Sequence, residues 1–149
     1  MIIKTSRFGD VEINEDLVFD FIIPIIGYED EKKFVLFEHS QSSAFRWLQS
    51  INTPELAFAV TSPTFFAIDY TFDLPDFAEE KLKIESAEDL LVLNVAAIPH
   101  GDPRKTTINL LAPIIMNMKN KYAGQVILSG TNLSVSHPLF NDDKEEAKC

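Results

Sequence analysis

The sequence predicts a mainly β protein, a small closed or partly closed β-barrel of about nine short strands with one or two short helical turns. Three observations carry that expectation. Short apolar segments recur along the chain, each bounded by Gly, Pro, Asn, Asp or Ser. No stretch combines the length and apolar stripe of a long amphipathic helix. Hydrophobic residues fill 46% of the 149 positions and include twelve Phe, which supplies a core without disulfide or structural metal.

Residues 2–6 and 11–13 flank the turn-forming Phe8-Gly9-Asp10 and read as a hairpin. A third strand covers 18–23 and is closed by Pro24 and Gly27. Residues 34–37 form a short strand, followed by a polar loop at 39–43. Two further strands, 45–50 and 57–61, are joined by Asn52-Thr53-Pro54-Glu55, residues that favour reversal. Helix is confined to the middle of the chain. Asp76 is expected to cap a short segment reaching Lys83, and Ser86-Ala87-Glu88-Asp89 fits an N-terminal capping pattern. Apolar strands follow at 90–98, 108–117 and 125–129, the last two joined by a polar connection over 117–124. Closing the barrel disposes of the edges that so many short strands would expose. Residues 1–140 are expected to form a single barrel-like domain. Residues 141–149 are charged, lack apolar periodicity and are expected to be a disordered acidic tail.

Composition narrows the function. The net charge of −10 argues against nucleic acid or an anionic membrane as direct partner, since phosphate binding needs clustered Lys and Arg. A basic protein is the better match. No apolar run approaches the ~20 residues that span a bilayer. The opening Met-Ile-Ile-Lys-Thr enters a strand pattern without a signal-peptide core, which places the protein in the cytoplasm. Cys149 is the single cysteine, so no intramolecular disulfide forms.

No motif points to catalysis, a metal or a cofactor. His39, His100 and His137 are far apart and fit no zinc spacing, although a fold bringing His100, Asp102 and His137 together would make a metal-using barrel. Asp69, Asp73 and Asp76 lack the glycine and terminal glutamate of an EF-hand loop. Nucleophile elbow, P-loop and dinucleotide fingerprint are all missing.

Charge is unevenly placed. From Asp69 to Asp89 there are eight carboxylates and two lysines, a net −6. Just before them lies the apolar Ser62-Pro63-Thr64-Phe65-Phe66-Ala67-Ile68, in which strand alternation would turn one Phe out and one in. An aromatic patch rimmed by acids suits a basic partner, with apolar anchors and electrostatic steering. The candidate partner-binding residues are Phe65, Phe66, Asp69, Tyr70, Asp73 and Asp76. Phe45 and Trp47 share one strand face with Gln49, and Arg46 and Leu48 share the other.

Several blocks are spaced along the chain: Thr-Ser-Arg-Phe-Gly at 5–9, Phe-Arg-Trp-Leu-Gln-Ser at 45–50, Pro-Glu-Leu-Ala-Phe-Ala-Val at 54–60, Ser-Ala-Glu-Asp-Leu-Leu-Val-Leu at 86–93 and Asn-Leu-Leu-Ala-Pro-Ile-Ile at 109–115. In order and spacing they resemble the FliW family of bacterial flagellar assembly factors, over residues 2–139. Two places depart from its pattern. Where the family usually reads Phe-Pro-x-Gly-Ile-Pro-Gly-Phe-Glu, residues 21–29 carry Phe-Ile-Ile-Pro-Ile-Ile-Gly-Tyr-Glu, and Ser136 precedes His137-Pro138-Leu139 where the family tends to Arg.

The resemblance implies a small β-barrel and a non-enzymatic, partner-switching role. Family members bind flagellin in the cytoplasm and also bind CsrA, a dimeric RNA-binding translational repressor. When flagellin is exported, the freed protein sequesters CsrA, by an allosteric block of RNA binding, and flagellin translation resumes. The alternative is a dedicated flagellin export chaperone without CsrA binding.

Overall fold

The computed structural model describes residues 1–37 and 44–140. The expected loop at 39–43, with His39, and the expected tail at 141–149, with Cys149, lie outside the described residues. Strands β1 (Ile2–Thr5) and β2 (Gly9–Glu12) pair as the expected hairpin. The Thr5 hydroxyl pins its turn, accepting from the Phe8 amide and donating to the Gly9 carbonyl, both at 2.8 Å. Gly9, at φ 70°, supplies the left-handed residue that the turn needs.

Five strands then run up and down as an antiparallel meander: β3 (Val18–Ile23), β4 (Lys33–Phe37), β5 (Phe45–Ser50), β6 (Ala57–Thr61) and β7 (Leu90–Ala97). β9 (Ile114–Asn117) pairs with β7, and β10 (Tyr122–Gln125) pairs with β9. β10 then returns to β3 in parallel and closes a seven-stranded barrel. β8 (Thr107–Ile108) and β11 (His137–Pro138) extend from the far end of β7, outside the ring. The strands number eleven among the described residues rather than nine, because short flanking pairs such as β8–β11 carry no apolar run of their own.

Alternation fills the interior. Phe19 and Phe21 from β3, Phe34 from β4, Leu48 from β5, Val60 from β6, Leu93 from β7, Ile114 and Met116 from β9 and Ala123 from β10 form one buried cluster. Full burial of each large side chain contributes about 1.5–3 kcal/mol, and a seven-stranded ring is narrow enough for side chains alone to fill it. Residues of the opposite parity face outward and need other cover. The β1–β2 hairpin covers Val35, α1 (Asp76–Lys81) covers Ile115 and Val126, and a third cluster gathers Phe45, Trp47, Ala59 and Ala96 around Ile108, Leu110 and Leu139.

Four expectations are corrected. The apolar run 108–117 is broken: Ala96 faces Ile108 and Leu93 faces Ile114, so residues 109–113 bulge from a strand that otherwise follows one edge of β7. Asn109 stabilises the bulge, its Oδ1 accepting from the Ala112 amide at 2.9 Å, and Pro113 has no amide to offer the ladder. The strand expected at 125–129 begins at Tyr122, inside the expected connection 117–124, and 126–128 merely continue it through bonds from the Val126 and Leu128 amides to Pro113 and Leu111. Asp76 does not cap the helix: Pro75 is its N-cap, and Asp76 is the first helical residue, where a carboxylate favours the positive helix end. Residues 63–66 form a 3-10 turn rather than a strand, set by Pro63 at its start and ended by Ala67 at φ 56°. The Ser86 pattern does fold as expected, its hydroxyl accepting from the Glu88 amide ahead of β7.

The seam between β3 and β10 is tight. A β-carbon at Gly124 would sit 2.5 Å from the Ile23 β-carbon, closer than any real contact, so glycine is required there by space rather than by dihedral freedom. The register also shifts by one residue between Ala123 and Gly124.

Candidate partner-binding surface

The segment from Ser62 to Asp89 leaves β6 and crosses the outside of the barrel before re-entering it as β7. Its path is set by which side chains it buries. The turn 63–66 sends Phe66 inward, against Phe45 at 5.9 Å between ring centroids and edge-on to Phe140 at 5.6 Å. Phe65, next to it, is left 62% exposed. Tyr70 bridges two outer clusters and stacks at an angle on Phe72, 5.1 Å away. Its hydroxyl donates to the Leu110 carbonyl at 2.5 Å, tying the segment to the 109–113 bulge. Burial raises the Tyr70 pKa above its ordinary 10.0, opposed by the hydrogen bond from Asn94.

Asp69, Asp73 and Asp76 are all exposed. α1 buries Ala78 and Leu82, four residues apart, against Ile115, Val126 and Leu128. The opposite side of the helix therefore carries Asp76, Phe77, Glu79 and Glu80. Phe77 is 50% exposed. Asp76, Glu79, Glu80 and Ile84 line a shallow depression of about 310 Å³. α1 thus presents a strongly negative outer side with Phe77 in water, and Phe65, in the turn at 63–66, is a second aromatic in water, while Phe66 and Tyr70 are engaged in internal packing.

Phe77 is absent from the sequence candidates. The signal that reveals it is the Ala78–Leu82 spacing, which fixes the buried side of a one-and-a-half-turn helix and so turns Phe77 out. His100 lies exposed in a turn and His137 sits in β11. No group of three His, Cys, Asp or Glu among the described residues is placed to hold a metal ion. No helix of the described residues is long and apolar enough to cross a membrane.

This surface can do binding chemistry: exposed aromatics provide anchors and surrounding carboxylates provide a field. Known proteins narrow the reading. The family described as FliW protein matches residues 2–139. A flagellar assembly factor FliW of Bacillus licheniformis is 43% identical over 139 residues, covering 93% of this chain and 96% of the relative. That of Moorella thermoacetica is 39% identical over 142 residues, covering 95% of this chain and 90% of the relative. A crystal structure of a flagellar assembly factor FliW superposes with a TM-score of 0.87 at 35% identity, over 95% of this chain and 98% of its own. A family match over nearly the whole chain, relatives of similar length and a shared fold agree, and the chain belongs to the FliW family of flagellar assembly factors.

Proposed function

We propose that this chain is a cytoplasmic, non-enzymatic regulator that binds flagellin and sequesters CsrA, relieving repression of flagellin translation. The observation that carries the docking reading is the run of exposed carboxylates from Asp69 to Glu80, with Phe77 exposed among them on α1 and Phe65 exposed in the turn that precedes them in the chain. CsrA binds RNA and so must present basic surface, and a net charge of −10 speeds its encounter. Exposed aromatics give such an encounter complex its residence time, since Phe, Tyr and Trp dominate the buried centres of interfaces. Exclusion of one partner by the other needs either overlapping surfaces or a coupling that acts equally in both directions.

Calorimetric titration against purified flagellin and CsrA, singly and then together, tests the proposal. Binding to both with mutual competition supports it. Binding to flagellin alone makes the protein a dedicated export chaperone, a reading that the departures at 21–29 and Ser136 keep in play. Binding to neither ends the proposal.

A further inference from the structure

One end of the barrel is an apolar mouth. Strand alternation carries the interior pattern a step beyond the fully buried cluster there. Leu17 stands two residues before Phe19, Arg46 before Leu48 and Leu91 before Leu93, while Leu36 follows Phe34 and Met118 follows Met116 by two. All five line one depression of about 400 Å³, together with Phe19. Leu17 is 44% and Met118 38% exposed, so this apolar rim meets water. The lining shares no residue with the segment 62–89.

The charge at the mouth is opposite to that of the chain. Arg46 lines the depression and is only partly exposed. Lys121, two residues before the buried Ala123, holds its Nζ 5.6 Å from the Phe19 ring centroid and donates to the Met118 carbonyl at 2.7 Å. One of its three ammonium donors is thus used, on the backbone of a lining residue. None of the described lining residues is a carboxylate. Glu15, Asp16, Glu88 and Asp89 lie on the turns leading into β3 and β7, but all four are exposed, where water and salt screen them. The two partly buried cations are screened less and set the sign inside the depression.

The chain itself offers little to fill this end. Outside the described residues, 38–43 read Glu-His-Ser-Gln-Ser-Ser, and 141–149 contain only Ala147 and Cys149 as apolar residues. A second copy would bring a further −10 of net charge and set Arg46 and Lys121 against their equivalents. We infer that the mouth binds a partner polypeptide through a large aliphatic side chain with an adjoining carboxylate. The aliphatic group packs among Leu17, Leu36, Leu91 and Met118, and the carboxylate accepts from the Lys121 ammonium in the field of Arg46. That the occupant is a polypeptide rests on the partner-binding role proposed above, whereas its apolar and anionic character rests on the lining alone. The molecule then has two contact sites of opposite preference: basic partner surface on the outer segment, and an apolar, acidic segment at the mouth.

The test is a ¹³C-methyl NMR titration of the full chain at millimolar peptide, and it needs neither flagellin nor CsrA. The probes are Ac-Ala-Leu-Leu-Glu-Ala-amide, the same peptide with Lys for Glu, the same with Ser-Ser for Leu-Leu, and decanoate. The glutamate peptide should shift the methyls of Leu17, Leu36, Leu91 and Met118, with about tenfold weaker binding of the lysine and serine peptides. Leu17→Ser should weaken the glutamate peptide about fivefold. Lys121→Gln should narrow its advantage over the lysine peptide to about threefold, and the unliganded spectra of both variants report that the fold persists. Shifts absent from the four methyls, equal binding of the glutamate and lysine peptides or of the leucine and serine peptides, or binding undiminished in both variants would overturn the assignment. Decanoate binding tenfold or more tightly than the glutamate peptide would also overturn it, making the mouth a lipid site.

Discussion

The inside of the barrel and the outer segment 62–89 are built from the same residue types and put them to opposite use. Inside, Phe19, Phe21 and Phe34 are buried and locked by strand alternation, with Phe21 and Phe34 edge-on at 5.0 Å. Outside, Phe65 and Phe77 sit in water, Phe77 on a helix with Asp76, Glu79 and Glu80, held by a 3-10 turn and a short helix whose other faces are anchored. An aromatic residue is core or contact according to its element's periodicity, not its chemistry. The interior should therefore govern stability, and the outer face should govern association.

The largest effect expected is at the interior. Phe34→Ala, at a fully buried position, should cost about 3–5 kcal/mol, read as a fall in the denaturation midpoint; a loss under 1 kcal/mol would mean that the barrel is not packed as described. Gly124→Ala attacks the seam instead. With Ile23 already against the glycine, it should destabilise by about 1–3 kcal/mol, and an unchanged melting temperature would show that β3 and β10 yield easily.

Outer-face changes should divide the other way. Phe77→Ala should leave stability within about 0.5 kcal/mol and weaken partner binding roughly tenfold or more, mainly through faster dissociation. Equal affinity in calorimetry would remove α1 from the interface. Reversing Asp69, Asp73 and Asp76 to Lys should slow association with a basic partner about tenfold at low salt and flatten its salt dependence. Stopped-flow rates unchanged by the triple variant would place the steering charge elsewhere.

The smallest expected effect lies at the junction of the two regions. Tyr70 is neutral in the fold and its pKa is raised by burial. The unfolded chain therefore ionises first, near 10.0, and the stability that neutral Tyr70 contributes is complete below that value. It is lost as pH rises from there through the higher folded value. Tyr70→Phe should flatten the decline in melting temperature above pH 10, and an identical slope would mean that the hydroxyl is solvated.

Legibility followed the same division. Strands with one inward and one outward face, 18–23, 45–50 and 57–61, are readable because alternation and turn formers mark both ends. The run 108–117 conceals its bulge, since residues 110–112 stay apolar and Leu110 packs an outer cluster, and only Asn109 and Pro113 signal the break. β10 starts early because Gly124 fits against Ile23, a contact between distant parts of the chain that no local pattern carries. On the outer face the carboxylates were legible as charge. Which aromatics reach water was not, because it depends on a 3-10 turn and on which side of a short helix meets the barrel.

Closure by one parallel pair has a consequence during synthesis. β3 pairs with β4 early but finds its second neighbour, β10, only after about a hundred further residues have been made, which at ribosomal rates takes roughly 5–20 s. From the completion of β7 until β9 and β10 are made, the meander from β3 to β7 carries two open edges and an uncovered row of Phe and Leu side chains. The nascent chain is thus most prone to misassociation just before its last barrel strand emerges, and the charge of the 69–89 segment, already translated by then, keeps neighbouring copies apart.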